Sequence, residues 1–110
     1  MSAADPVQAF EDLAATCGEA PGAGRRRMFG RDTLTVDGHI HAFRHEDRVA
    51  FRLPPALAAD LLERGDAVVP DMGTRSMTGW VALPLSDDPD EREEQARLLA
   101  EAIAHLRAQY

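Results

Sequence analysis

From Thr33 to Leu53 the hydrophobic residues recur at every second position, the period of a half-buried strand and not of a helix. Leu34 and Val36 alternate with Thr33 and Thr35; Ile40 and Ala42 alternate with His39, His41 and Phe43; Val49, Phe51 and Leu53 alternate with Arg48, Ala50 and Arg52. Asp37-Gly38 is a hairpin signal and Glu46-Asp47 separates the second run from the third, so neighbouring strands should run antiparallel. A strict two-residue loop would pair Val36 with His39 and carry histidines to the buried face. A three-residue loop pairs Val36 with Ile40 and keeps the apolar set together. The second register is expected, because a slip of one residue flips every side chain.

Helical periodicity flanks this core. Asp5-Pro6 supplies an N-cap followed by a proline at the first helical position, with Gln8 placed to complete a capping box, and Val7, Phe10, Leu13, Ala14 and Cys17 form one apolar stripe before Gly18. Glu19 to Gly24 reads as a linker. Pro54-Pro55 ends the third strand and opens a short helix with Leu57, Leu61 and Leu62 inward, closed by Gly65. Ala67 to Val69 and Met77 to Leu83 read as strands, the latter with Val81 and Leu83 on one side and Trp80 and Ala82 on the other. The last helix begins within Ser86 to Glu94 and buries Leu98, Leu99, Ala102, Ile103, Leu106 and Tyr110. The expected fold is α+β in order αβββαββα: two layers, with a five-stranded, mainly antiparallel sheet and helices on one face. At 110 residues the chain is expected to form one domain over 1–110.

Charge and cysteine content narrow the function classes. The chain carries 12 basic residues, all Arg, against 19 acids, a net charge of −7 that opposes nonspecific binding to nucleic acid or an anionic membrane. The charge is uneven, since residues 25 to 52 hold seven Arg against four acids. Cys17 is the single cysteine, which excludes an internal disulfide and a Cys-based zinc site, and on the apolar stripe it reads as a small buried hydrophobe. The N-terminus lacks the basic start and apolar run of a signal peptide, and no run approaches the roughly 20 apolar residues that span a bilayer. A cytoplasmic location is expected.

If the alternating apolar set faces the helices, the opposite face presents Thr33, Thr35, His39, His41, Phe43, Arg48, Arg52 and Trp80. Three helices cover one side of such a sheet, so Trp and Phe on the other would form an exposed patch of the residue types that populate interface cores. His41, Phe43, Arg48, Arg52 and Trp80 are therefore the expected partner or ligand face. Arg25, Arg26, Arg27 and Arg31 form the only basic cluster and are the candidate anion contacts, although the preceding residues lack the ending of a phosphate-binding loop. His39, His41 and His45 lack a fourth ligand, so no metal is expected. Asp87, Asp88, Asp90, Glu91, Glu93 and Glu94 crowd a helix start, where the macrodipole favours acids. Ser76 lacks the glycine spacing of a nucleophile elbow, and no cofactor fingerprint is present, so neither catalysis nor a cofactor is expected.

Arg26-Arg27-Met28-Phe29-Gly30, followed by Val36-Asp37-Gly38, Asp47-Arg48-Val49, Arg52-Leu53-Pro54, Met72-Gly73 with Met77, and Trp80-Val81-Ala82-Leu83-Pro84, resembles the N-terminal domain of the TfoX/Sxy competence-regulator family. His41 stands where the resemblance leads one to expect an apolar residue, often Phe, and Trp80 where Tyr is usual. The resemblance implies a two-layer α+β fold with a five-stranded antiparallel sheet and no catalytic residues. It also implies a stand-alone copy of a domain that, in full-length members, precedes a helical one and works with a cyclic-AMP receptor-type activator. The expected function is a non-catalytic interaction module, a transcription-regulatory accessory acting through its open sheet face on a protein partner or as a homodimer. The alternative is a small-ligand or anion-binding domain on the same Arg, His and Trp residues. Direct DNA binding through Arg25 to Arg31 ranks last.

Overall fold

The computed structural model describes residues 5–17, 21–28, 31–72, 75–76, 79–86 and 88–109. Helix α1 (Pro6–Cys17) is followed by strands β1 (Ala23–Met28), β2 (Arg31–Val36), β3 (His39–His45) and β4 (Arg48–Arg52). Then come helix α2 (Pro55–Glu63), a two-residue hairpin of β5 (Asp71–Met72) and β6 (Arg75–Ser76), strand β7 (Trp80–Pro84) and helix α3 (Pro89–Gln109). The fold is α+β, with an open five-stranded antiparallel sheet in the order β1-β2-β3-β4-β7. Expectations placed on the Cys17 side chain, Gly18, Glu19 and Ala20 of the linker, Phe29, Gly30, Gly73, the Ser76 side chain, Met77, Thr78, Asp87 and Tyr110 lie outside the described residues.

Local chemistry sets the helix ends. Asp5 Oδ1 accepts from Val7 N at 3.0 Å and Gln8 N at 3.4 Å, the expected cap. The capping box does not form, because the Gln8 amide donates instead to Asp12 Oδ1 one turn on, at 3.0 Å. Asp88 caps α3, accepting from Asp90 N at 2.8 Å and Glu91 N at 3.4 Å, so this member of the acid run serves the helix end. Pro55 opens α2, and Gly65, at φ +78, accommodates the turn after its last residue.

The number of sheet strands is as expected, but one strand is different. Ala23-Gly24, at the end of the supposed linker, and Arg25 to Arg27 of the basic cluster form β1 with Met28; it pairs along its whole length with β2 from Ala23↔Val36 to Met28↔Arg31, so Arg31 stands on β2. Ala67 to Val69 contributes only one bridge, Val68↔Ala82. The hairpin between β2 and β3 also differs from expectation. Asp37 (φ +52) and Gly38 (φ +83) make a two-residue turn, so Val36 pairs with His39 and not with Ile40. A bulge then shifts the ladder between Leu34 and Thr35, which pair with Ala42 and Ile40 and leave His41 as the extra residue. The bulge corrects the facing within one residue: Leu34 and Ala42 share the helix side although the turn is short.

One face of the sheet, with Leu34, Val36, Ala42, Val49, Phe51, Leu53, Val81 and Leu83, forms a single core with Phe10 and Leu13 of α1, Ala58 and Leu61 of α2, and the α3 stripe Leu98, Leu99, Ala102, Ile103 and Leu106. Gln95 of α3 is buried with them and donates to the Pro84 carbonyl at 2.7 Å, which ties α3 to the end of β7. At the entry to β1, Gly22 has φ +78 and its carbonyl accepts from Asp37 N at 2.9 Å. A Cβ there would lie 2.2 Å from Asp37 Oδ1. Gly22→Ala should therefore cost about 1–3 kcal/mol in urea denaturation, from left-handed backbone and displacement of Asp37. A wild-type midpoint would show that the β1 entry is not held in this turn.

Candidate interaction face

The registers align a second set of residues on the face away from the helices. Arg26, Thr33, Phe43, Ala50 and Ala82 form one row across all five strands. On one side of that row lie Gly24, Thr35, Ile40, Arg52 and Trp80; on its other side lie Arg31, His45, Arg48 and Pro84. Phe43, Ala50 and Ala82 make a small hydrophobic cluster with Trp80 packed against it, separate from the main core and without a helical member.

The Phe43 and Trp80 rings lie 5.1 Å apart at 50°, a tilted aromatic contact. The Arg31 guanidinium stands 6.0 Å from the centre of the Phe43 ring on the same face, within cation–π range. The expectation that the whole face is exposed needs correction: Thr33, Thr35, His41 and Phe43 are all buried, and Phe43 retains only 6% exposure. What the face offers to a partner is its rim, where Arg31, Arg48, Arg52 and Trp80 are half-buried and Arg26 is exposed; His39, expected on this face, instead pairs in register with Val36 of the helix-side core.

The basic cluster is divided by the strand. Arg25 pairs in register with Leu34 on the helix side, where its guanidinium lies 5.6 Å over the Phe10 ring and forms a two-pronged contact with Glu11, with Asp32 at 3.6 Å. The hydrogen bond to Arg25 holds the Glu11 carboxyl below its usual value. Arg27 faces the same side as Arg25, in register with Asp32, whereas Arg26 and Arg31 belong to the opposite face. The four arginines are thus not one anion site, and Arg25 is engaged within the fold.

His41 is the least conventional residue of the face. It is wholly buried, and neither ring nitrogen makes a hydrogen bond. Burial pushes its pKa down to about 4, against a smaller upward pull from the Thr35 backbone. Among the described residues no three His, Cys, Asp or Glu side chains stand close enough to hold a metal ion together. No described helix is long and apolar enough to cross a membrane.

Clefts lie elsewhere too: one of about 390 Å³ separates α1 from β1 and includes the Arg25–Glu11 pair, and another of about 460 Å³ lies along α3, lined by Ala96, Leu99, Ala100, Ile103, Ala104 and Arg107 with Thr16 of α1. Sequence reasoning found Phe43, Arg48, Arg52 and Trp80 by alternation. The same alternation put Ala50 and Ala82 on this side without marking them as the floor under the aromatic pair, and it missed Arg26 as a member of the face, since strand β1 was not anticipated. Comparison with protein-family models, with curated proteins and with solved structures finds no match for this chain.

Proposed function

We propose that this chain is a non-catalytic interaction module, akin to the TfoX N-terminal domain, that docks a protein partner on the sheet face opposite its helices. The setting would be cytoplasmic, and the role that of an accessory to transcription regulation. One observation carries the reading: Trp80, the only tryptophan, stays part-exposed on a sheet face whose own aromatic cluster has, among the described residues, no helical member. A tryptophan at a surface whose neighbours are arginines is the composition of an interface centre. The motif series from Arg26 to Pro84 supports the family likeness. A small-ligand pocket on the same residues has less support, because the clefts against α1 and along α3 include none of them.

The test places a photo-crosslinking phenylalanine analogue at position 80 and, separately, at Val7, which is exposed on α1. Irradiation in cells should give a discrete protein adduct from position 80 that is absent from position 7. The same pattern from both positions, or no adduct from position 80, would remove the interaction reading.

A further inference from the structure

Resting on that reading, we propose that the partner meets this face through an acidic peptide segment carrying an apolar side chain, which seats beside Trp80 while its carboxylates bind Arg26, Arg48 and Arg52. Among the described residues these three arginines make no ion pair, in a chain with 19 acids. By contrast, Arg25, Arg64 and Arg92 each hold a carboxylate. The three unpaired arginines share one face by strand register, Arg26 in the row of Phe43, Arg52 beside Trp80, and Arg48 beside Pro84. No residue that the registers place on this face is acidic, so the sheet presents planar guanidinium groups around an aromatic centre and supplies no internal counter-charge. Guanidinium groups in this state suit bidentate contact with carboxylates.

The same observations separate a peptide from other occupants. A nucleic acid would bring a dense phosphate array against a molecule of net charge −7, and its bases would need free aromatic faces. Here Phe43 is buried and Trp80 is tilted against it. A second copy would have to offer its own acid run, of which Asp88 caps α3, Glu94 lies 3.7 Å from Arg64, and Arg92 within that run reaches Asp12. A peptide from another protein carries neither restriction. Its charge would be met locally, within the roughly 8 Å over which salt leaves a surface charge effective.

Trp80 fluorescence makes the face its own reporter. The probe is a short synthetic peptide of glutamates interrupted by leucines, titrated beside a matched lysine–leucine peptide and a single-stranded oligothymidylate of equal charge. The glutamate peptide should shift the emission and weaken with added salt, and its affinity should fall roughly tenfold or more in Arg48→Glu/Arg52→Glu. Arg26→Glu, at an exposed position that carries no core packing, should weaken it in the same direction. Absence of glutamate-peptide binding, equal or tighter binding of the oligothymidylate, or wild-type affinity in both variants would overturn the proposal. The photo-adduct from position 80 separates the two readings. If it persists in Arg48→Glu/Arg52→Glu, the interaction face stands and the acidic partner falls; an adduct of the chain with itself has the same meaning.

Discussion

Phe51→Ala is expected to remove about 3–5 kcal/mol of stability, a large part of the roughly 5–15 kcal/mol that holds a domain of this size together. Phe51 has no exposed surface and sits on β4, between Ala42 of β3 and Val81 of β7. It belongs to the one cluster that joins the sheet to α1, α2 and α3, so its ring is surrounded by side chains from elements far apart in sequence. Truncation leaves a cavity whose walls are anchored on three strands, and these can collapse little without breaking ladder hydrogen bonds. Urea denaturation should show a much lower midpoint with an unchanged slope, since the surface exposed on unfolding is almost the same. A loss below about 1 kcal/mol would mean that β4 does not lie at the centre of the helix–sheet contact.

The alternation that places Phe51 inside was legible because a half-buried strand repeats every two residues, whatever its partners. Val49, Leu53, Val81 and Leu83 follow the same rule, and the α3 stripe follows its helical equivalent. Strand β1 was not legible, because Ala-Gly-Arg-Arg-Arg-Met has neither alternation nor β-branched residues. It is extended because β2 offers a free row of hydrogen-bonding groups, and because Arg25 can lie across Phe10 and reach Glu11. Both causes are tertiary. The bulge at His41 was hidden for a related reason. Asp-Gly favours a two-residue turn and the apolar pattern favours a three-residue one, and both are satisfied only by an extra residue further along the strand.

The candidate face was legible to the same depth. Pattern placed Phe43, Arg48, Arg52 and Trp80 together, and the register confirms that they share a side. Pattern could not tell a floor from a rim. Exposure depends on what lies over a residue, so Phe43, held between Trp80 and Arg31, is buried while Trp80 is not. The arginine cluster failed as a single site because consecutive strand residues point to opposite faces, which sent Arg25 to Glu11 and left Arg26 with no acid.

Lowering the pH from about 7 to about 5 is expected to remove about 2 kcal/mol of stability through His41 alone. In the unfolded chain an imidazole titrates near its ordinary value of about 6.5, whereas in the fold burial pushes His41 down to about 4. Between those values the unfolded state holds a proton that the folded state does not. Stability is therefore complete above the unfolded value, falls as the pH drops through it, and levels off only below the folded one, after a total loss of about 3 kcal/mol. No carboxylate contact offsets the cost, because both ring nitrogens lack hydrogen-bond partners. His41→Leu keeps an apolar side chain of similar size and deletes the buried polar atoms. It should be more stable than wild type by about 1–3 kcal/mol near neutral pH, and its stability should change little between about pH 7 and 5. Urea denaturation of both proteins at the two pH values gives the answer directly. Equal losses in wild type and variant would place the His41 ring in contact with water, and the site it occupies beside Thr35 would then be a solvated pocket and not part of the sealed floor.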